Sequence, residues 1–217
     1  MRIPLAKYGV PQILIVGGVA TAGLIASLVF WLYAVPVFVL ALVFVLYFFR
    51  DPNRQAPDGP GLVVSPADGR VVEVGEVAED EFLRTRALKI AIFMSPLDVH
   101  VNRAPCDGRV EALVHRPGTY HNASTEAASA ENEAVAMVLA DVEGRTRVLV
   151  RQVAGVLARR IVCEPTEGDR VSRGQRYGMI KFGSRVEVFV PVDAGFEPTV
   201  APAQAVRAGE TVLGRFR

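Results

Sequence analysis

The chain has 217 residues, with 24 Lys or Arg, 23 Asp or Glu and a formal net charge of +1, a length that suits one well-buried domain with a small appendage. Charges so evenly balanced leave no basic footprint for a polyanion, which excludes nucleic acid as a partner. The two cysteines, Cys106 and Cys163, lie far apart and outside any metal-ligand or CxxC spacing, and read as reduced thiols near the core.

From Tyr8 to Phe49 no side chain is charged, and the run is closed by Lys7 on one side and by Arg50 and Asp51 on the other. One membrane-crossing helix takes about 20 residues, so the run predicts two, over Val10 to Phe30 and Val35 to Phe49. Pro36 disfavours a continuous helix, and Trp31 and Tyr33 suit a lipid–water boundary. The second helix is short for a full span, which leaves a transmembrane and a shallow re-entrant hairpin both open. A cleaved signal peptide fits less well, because the apolar run far exceeds an h-region of roughly 7–15 residues. Arg2 and Lys7 before the hairpin, with Arg50 and Arg54 after it, place both ends on the cytoplasmic side of a bacterial inner membrane. Residues 1–50 are thus expected to anchor a domain of residues 51–217.

The linker DPNRQAPDGPG follows, and the character of the chain then changes. Short apolar-rich runs such as RVVEVGEV, LKIAIFM, EAVAMVL, RVLVRQVAG and RVEVFVP recur between Gly, Pro, Asp and Asn, which predicts a mainly β domain. TEAASAENEA, residues 125–134, reads as a helix or as a polar loop.

Three histidines, His100, His115 and His121, limit the acid–base candidates. His100 follows the strand-like LKIAIFM, where functional side chains often sit, although a histidine at that place, taken alone, is more often structural. His115 and His121 bracket a PGTY turn and match no zinc spacing, so no metal site is expected. Asp68 lies in the turn SPADG, where an Asp commonly binds its own turn's amides; it gains a chemical role if it meets His100 and fixes the tautomer of that imidazole. The hydroxyl that such a base would serve could be that of Ser184, which opens the alternating run Arg185 to Val190 in KFGSRVEVFVP.

These segments carry a resemblance. An apolar hairpin, RDP, SPADG, MSPLDVHVNRAP, HRPG followed by NAS, ENE, and FGSRVEVFVP stand in one order along essentially the whole chain. In this the sequence resembles the phosphatidylserine decarboxylases, above all their short bacterial form. The resemblance implies a β-barrel-sandwich-hybrid-like catalytic domain that cuts itself between Gly183 and Ser184, converting Ser184 into a covalent pyruvoyl group, so that no external cofactor is needed. Ser184 Oγ would attack the Gly183 carbonyl carbon, where the missing Cβ leaves room for the cyclic intermediate. His100, oriented by Asp68, would be the base. The chains 1–183 and 184–217 would stay associated, and Ser184 in its pyruvoyl form would hold phosphatidylserine as a Schiff base while carbon dioxide leaves. His100 is the first choice of proton donor to the product, phosphatidylethanolamine. Arg50 and Arg54 suit a substrate that carries phosphate and carboxylate within the bilayer; whether the enzyme forms a homodimer stays open.

Two departures limit the transfer. Ser184 is followed by Arg185, as in the short bacterial form, where many members have Thr or Ser; and Arg103 stands where longer relatives carry a second histidine. Arg103 either contacts substrate or braces a loop, and no role is assigned to His115 or His121. The rival reading is a non-enzymatic, membrane-anchored β-barrel-sandwich adaptor or carrier, suggested by EGDRVSRGQRYGMI. A carrier needs a lysine at an open hairpin tip, and the one lysine in that region is Lys181, beside Phe182.

Overall fold

The structure, a computed structural model, describes residues 5–123, 125–141, 146–156, 160–181 and 184–217. The chain divides into two units, one ending at Asn53 and one of Arg54–Arg217.

The first unit holds helices α1 (Val10–Phe30) and α2 (Val35–Phe48), each with a proline in its first turn, where the missing N–H costs nothing. Trp31, at φ −157°, ends α1, and the Ala6 amide donates to the Phe49 carbonyl at 2.8 Å, joining the two ends of the hairpin. Leu14, Val19, Phe30 and Leu40 are exposed, as apolar side chains are in a helix solvated by lipid. The helical segment Lys7–Phe30, whose most apolar 18-residue window has a mean hydropathy of 2.4, is long and apolar enough to cross a membrane. The 14 residues of α2 reach only about 21 Å, short of a hydrocarbon core of about 30 Å.

The second unit is mainly β, with a curled sheet. Its strands are β1 (Leu62–Val64), β2 (Gly69–Glu79), β3 (Thr85–Met94), β4 (Val101–Arg103), β5 (Gly108–Arg116), β6 (Ala134–Ala140), β7 (Arg147–Val153), β8 (Ile161–Cys163), β9 (Arg170–Val171), β10 (Arg176–Ile180), β11 (Ser184–Pro191), β12 (Phe196–Pro198), β13 (Ala205–Val206) and β14 (Val212–Phe216). Among the described residues the large sheet runs β13-β2-β3-β11-β7-β6-β5-β9, and two three-stranded sheets run β1-β14-β12 and β4-β10-β8. A six-residue helix, α3 (Glu126–Glu131), is what TEAASAENEA forms.

Strand β11 lies centrally, antiparallel to β3 and to β7, so it is paired on both edges. Its period of two sends Val186, Val188 and Val190 into the main core, with Ile90, Ile92 and Met94 of β3, Val148 and Val150 of β7, and Tyr177 and Ile180 of β10. Arg185, Glu187 and Phe189 face the other way. That face is also closed: Glu187 is fully buried and Arg185 is 2 % exposed. A charged pair in such a place persists only if every charge is compensated. Arg185 Nη2 meets Glu73 Oε2 at 2.6 Å, Lys89 Nζ meets the same oxygen at 2.9 Å, and Lys89 Nζ lies 3.4 Å from Glu187 Oε1.

Candidate active site

Ser184 is the first residue of β11 and pairs with Met94, the last of β3. It is fully buried, on the core face, and its Oγ donates to Met94 Sδ at 3.4 Å. A thioether is a weak acceptor, so the hydroxyl is oriented but lightly held. Gly183 and Phe182 lie outside the described residues, and the geometry of the 183–184 bond with them.

Backbone packing brings the other candidate segments to this end of the sheet. Gly69, at φ +144°, backs onto the end of β3, where a Cβ would lie 2.0 Å from the Phe93 carbonyl oxygen and 3.3 Å from Met94 Cα. Only glycine allows that approach, and it sets the SPADG turn beside the serine's partner. The same turn meets β4, since the Pro66 carbonyl accepts the Arg103 amide at 2.9 Å.

Asp68 in this turn is held by Arg54 and Ala208. Arg54 Nη2 donates to Oδ2 at 2.7 Å and Nη1 donates to Oδ1, which also accepts the Ala208 amide at 2.8 Å. Arg54, expected to serve the lipid head group, is instead engaged inside the domain, with its side chain 7 % exposed.

His100 is also fully buried. The tetrapeptide Ser95-Pro96-Leu97-Asp98 forms a turn in which the Asp98 amide donates to the Ser95 carbonyl at 2.9 Å and Asp98 Oδ2 accepts the Ser95 amide at 2.8 Å. The Asp98 carbonyl then lies 2.9 Å from His100 Nδ1. A carbonyl only accepts, so Nδ1 carries the proton and Nε2 of the neutral ring carries the lone pair. A main-chain oxygen therefore fixes the tautomer, the role foreseen for Asp68.

Two residues that sequence patterning does not single out complete the polar lining. Asn102 is fully buried, with Nδ2 3.8 Å from Met94 Sδ and 3.5 Å from the Pro66 carbonyl. Gln152, 1 % exposed and cross-strand from Val186, donates from Nε2 to Asn102 Oδ1 at 2.8 Å. Polar residues inside strands that otherwise read as apolar are the signal that could have found them.

Other candidates find structural partners. Arg103 is buried and donates from Nη1 to the Gly174 carbonyl at 2.9 Å, bracing a loop. His115 and His121 are exposed, with Nε2 3.0 Å from Glu133 and 2.9 Å from Glu131 respectively. Lys181 is 5 % exposed, and burial, followed by the charge of Arg160, pulls its ammonium below the usual lysine value. A buried lysine cannot swing as a carrier arm. Among the described residues no three His, Cys, Asp or Glu side chains group as a metal site. A cleft of about 880 Å³, lined by Asp107, Arg109, Glu111, Asp141, Glu167 and Arg170, adjoins Ala140 at the far end of β6 from the strand ends that flank Ser184.

Relatives agree over nearly the full chain. A family model described as phosphatidylserine decarboxylase matches residues 41–214. The phosphatidylserine decarboxylase proenzyme of Desulfotalea psychrophila is 40% identical over 215 residues, covering 99% of this chain and 98% of the relative. That of Symbiobacterium thermophilum is 46% identical over 217 residues, covering 100% and 98%, and that of Cupriavidus pinatubonensis 48% identical over 191 residues, covering 88% and 86%. A mainly β domain with a buried serine opening a central strand, matched this widely, is an enzyme: a decarboxylase of the kind made as a proenzyme. The chain belongs to the phosphatidylserine decarboxylase family.

Proposed function

We propose that this protein decarboxylates phosphatidylserine to phosphatidylethanolamine, using a pyruvoyl group that it makes from its own Ser184 by cutting the Gly183–Ser184 bond. The observation that carries the reading is the burial of Ser184 at the head of β11, against Met94 and in reach of a polar lining, in a chain of this family.

In the maturation step His100 Nε2 takes the hydroxyl proton. Ser184 Oγ attacks the Gly183 carbonyl carbon, the C–N bond breaks as the nitrogen is protonated, and an ester replaces the amide. Loss of the Ser184 Cα proton expels the Gly183 carboxylate, and water then releases ammonia from the resulting dehydroalanine. A pyruvoyl group at Ser184 would supply a ketone able to hold the substrate amine and to accept the electron pair released with carbon dioxide. The site fits such a group, because a reactive ketone needs a dry setting, and Ser184 is fully buried with the apolar Val186 and Met94 among its neighbours on that face.

Asp68 acts as a positioning residue. Through Arg54 and the Ala208 amide it ties the linker and a C-terminal turn to the SPADG turn, which packs on β4 just after His100. The apolar helices associate the enzyme with a membrane. In the proposed arrangement that membrane is the bacterial inner membrane, with the catalytic unit on its cytoplasmic side, where the lipid substrate need not leave the bilayer.

Intact-mass analysis of the purified protein tests the reading. Fragments of residues 1–183 and 184–217 are expected, the second without a free amino terminus. A single uncut chain in an active preparation would overturn it.

A further inference from the structure

Gln152 Oε1 is buried and, among the described residues, accepts no hydrogen bond. The amide's orientation follows from its surroundings: Nε2 faces two acceptors, Asn102 Oδ1 at 2.8 Å and the Val162 carbonyl at 3.4 Å, so the other atom must be the oxygen. An acceptor left unsatisfied in a core costs the full desolvation of that group. A native domain tolerates that where a ligand completes the bond.

The position of Gln152 says which ligand. Gln152 lies opposite Val186 on β11, and Ser184 is two residues earlier on the same face, a diagonal neighbour within reach of a long side chain. Gly178 keeps the space open on the other side, since a Cβ there would stand 3.2 Å from Gln152 Nε2 and 2.0 Å from the Val162 carbonyl oxygen. The serine head group offers a phosphate, a carboxylate and an amine, and of these the amine alone supplies N–H donors. A neutral amide oxygen also differs from a carboxylate in a useful way. It holds an amine N–H without locking the nitrogen in its cationic form, which could not act as a nucleophile.

We propose that Gln152 Oε1 binds the amino group of the lipid head group and aims it at the residue derived from Ser184, with Asn102 as the positioning residue that fixes the Gln152 amide. This inference rests on the functional reading above and deepens it to head-group recognition.

The test uses the mature, cut enzyme after its ketone has been reduced with borohydride, so that binding is read without turnover. Phosphatidylserine and an analogue with a 3-hydroxypropionate head group, which keeps the carboxylate and lacks the amine, are titrated in mixed micelles. With Gln152 present, phosphatidylserine should bind about tenfold more tightly, the worth of one buried hydrogen bond. Gln152→Met, which keeps the length and removes the acceptor, should bring the ratio close to one. Gln152→Glu should restore the preference and make it grow with pH as the new carboxylate ionises. No preference in the Gln152 protein, an unchanged preference in Gln152→Met, or a pH-independent ratio in Gln152→Glu would each overturn the proposal. Cutting and decarboxylation by the unreduced enzyme are scored first, so a failure of the functional reading shows there.

Discussion

Arg185 Nη2 and Glu73 Oε2 meet at 2.6 Å, an ion pair that links β11 to β2 across the bond expected to be cut. Arg185 belongs to the 184–217 segment and Glu73 to the 1–183 segment. Glu187 adds to the link: its Oε1 lies 2.8 Å from Arg185 Nε, an ion pair without hydrogen-bond alignment, and accepts the Ser129 hydroxyl. With β11 paired on both edges, the two chains would hold together after cleavage as one sheet.

Arg185→Met should therefore destabilise the domain by about 3–5 kcal/mol, the usual cost of leaving a buried carboxylate, here that of Glu187, short of a partner. Chemical denaturation of the cut protein, with release of the 184–217 fragment as readout, measures this. Unchanged stability would show the cluster to be solvated.

Ser184→Ala should give an uncut, inactive chain of normal fold. Its small side chain keeps the strand register with Met94 and removes the nucleophile. Cleavage or activity in this variant would defeat the mechanism.

His100→Ala should slow maturation, turnover or both by about 10²–10⁴-fold, the range for a positioned acid–base group. Electrophoresis of pulse-labelled protein follows the first and carbon dioxide release the second. Normal values for both would reassign the base.

Asp68→Asn and Arg54→Met should each lower stability by about 3–5 kcal/mol, because each strands a buried partner. If Asp68 acts only by anchoring the turn, the two variants should mature at equal rates once folded at low temperature. Slow cutting in Asp68→Asn alone would give the carboxylate a direct role at His100.

Burial pushes the thiols of Cys106 and Cys163 from 9.0 up to about 12, aided by the Asp107 carboxylate for the first and by that of Glu164 for the second. The folded values exceed the unfolded one, so this stabilisation is whole below pH 9 and is lost as the pH rises towards 12. Iodoacetamide at about pH 8 should leave both native thiols unmodified. Rapid alkylation would contradict the raised thiol pKa of these half-buried side chains.

The helical hairpin was legible because its signal is local: a long uncharged run with a proline-marked break forms two helices and nothing else. The alternation from Arg185 to Val190 likewise predicts a strand, which the fold extends to Ser184–Pro191. The same alternation ordinarily marks one wet face. Here that face is buried, because Glu73, Lys89 and Arg151 arrive from β2, β3 and β7 to compensate Arg185 and Glu187. No local window contains those partners. The site divides in the same way. Ser184 and His100 stand out by motif, whereas Asn102 and Gln152 are 50 residues apart and meet only through the sheet. Asp68 was legible as a turn residue. Its partner Arg54 was not, since a linker arginine gives no sign of folding back into a domain.

The central claim is that Ser184 becomes the carbonyl that holds the lipid amine. Borohydride added during turnover of head-group-labelled phosphatidylserine tests this most directly. The label should become fixed to the first residue of the 184–217 fragment. An enzyme that is turning over when borohydride is added, yet carries its label elsewhere or none at all, would contradict the claim.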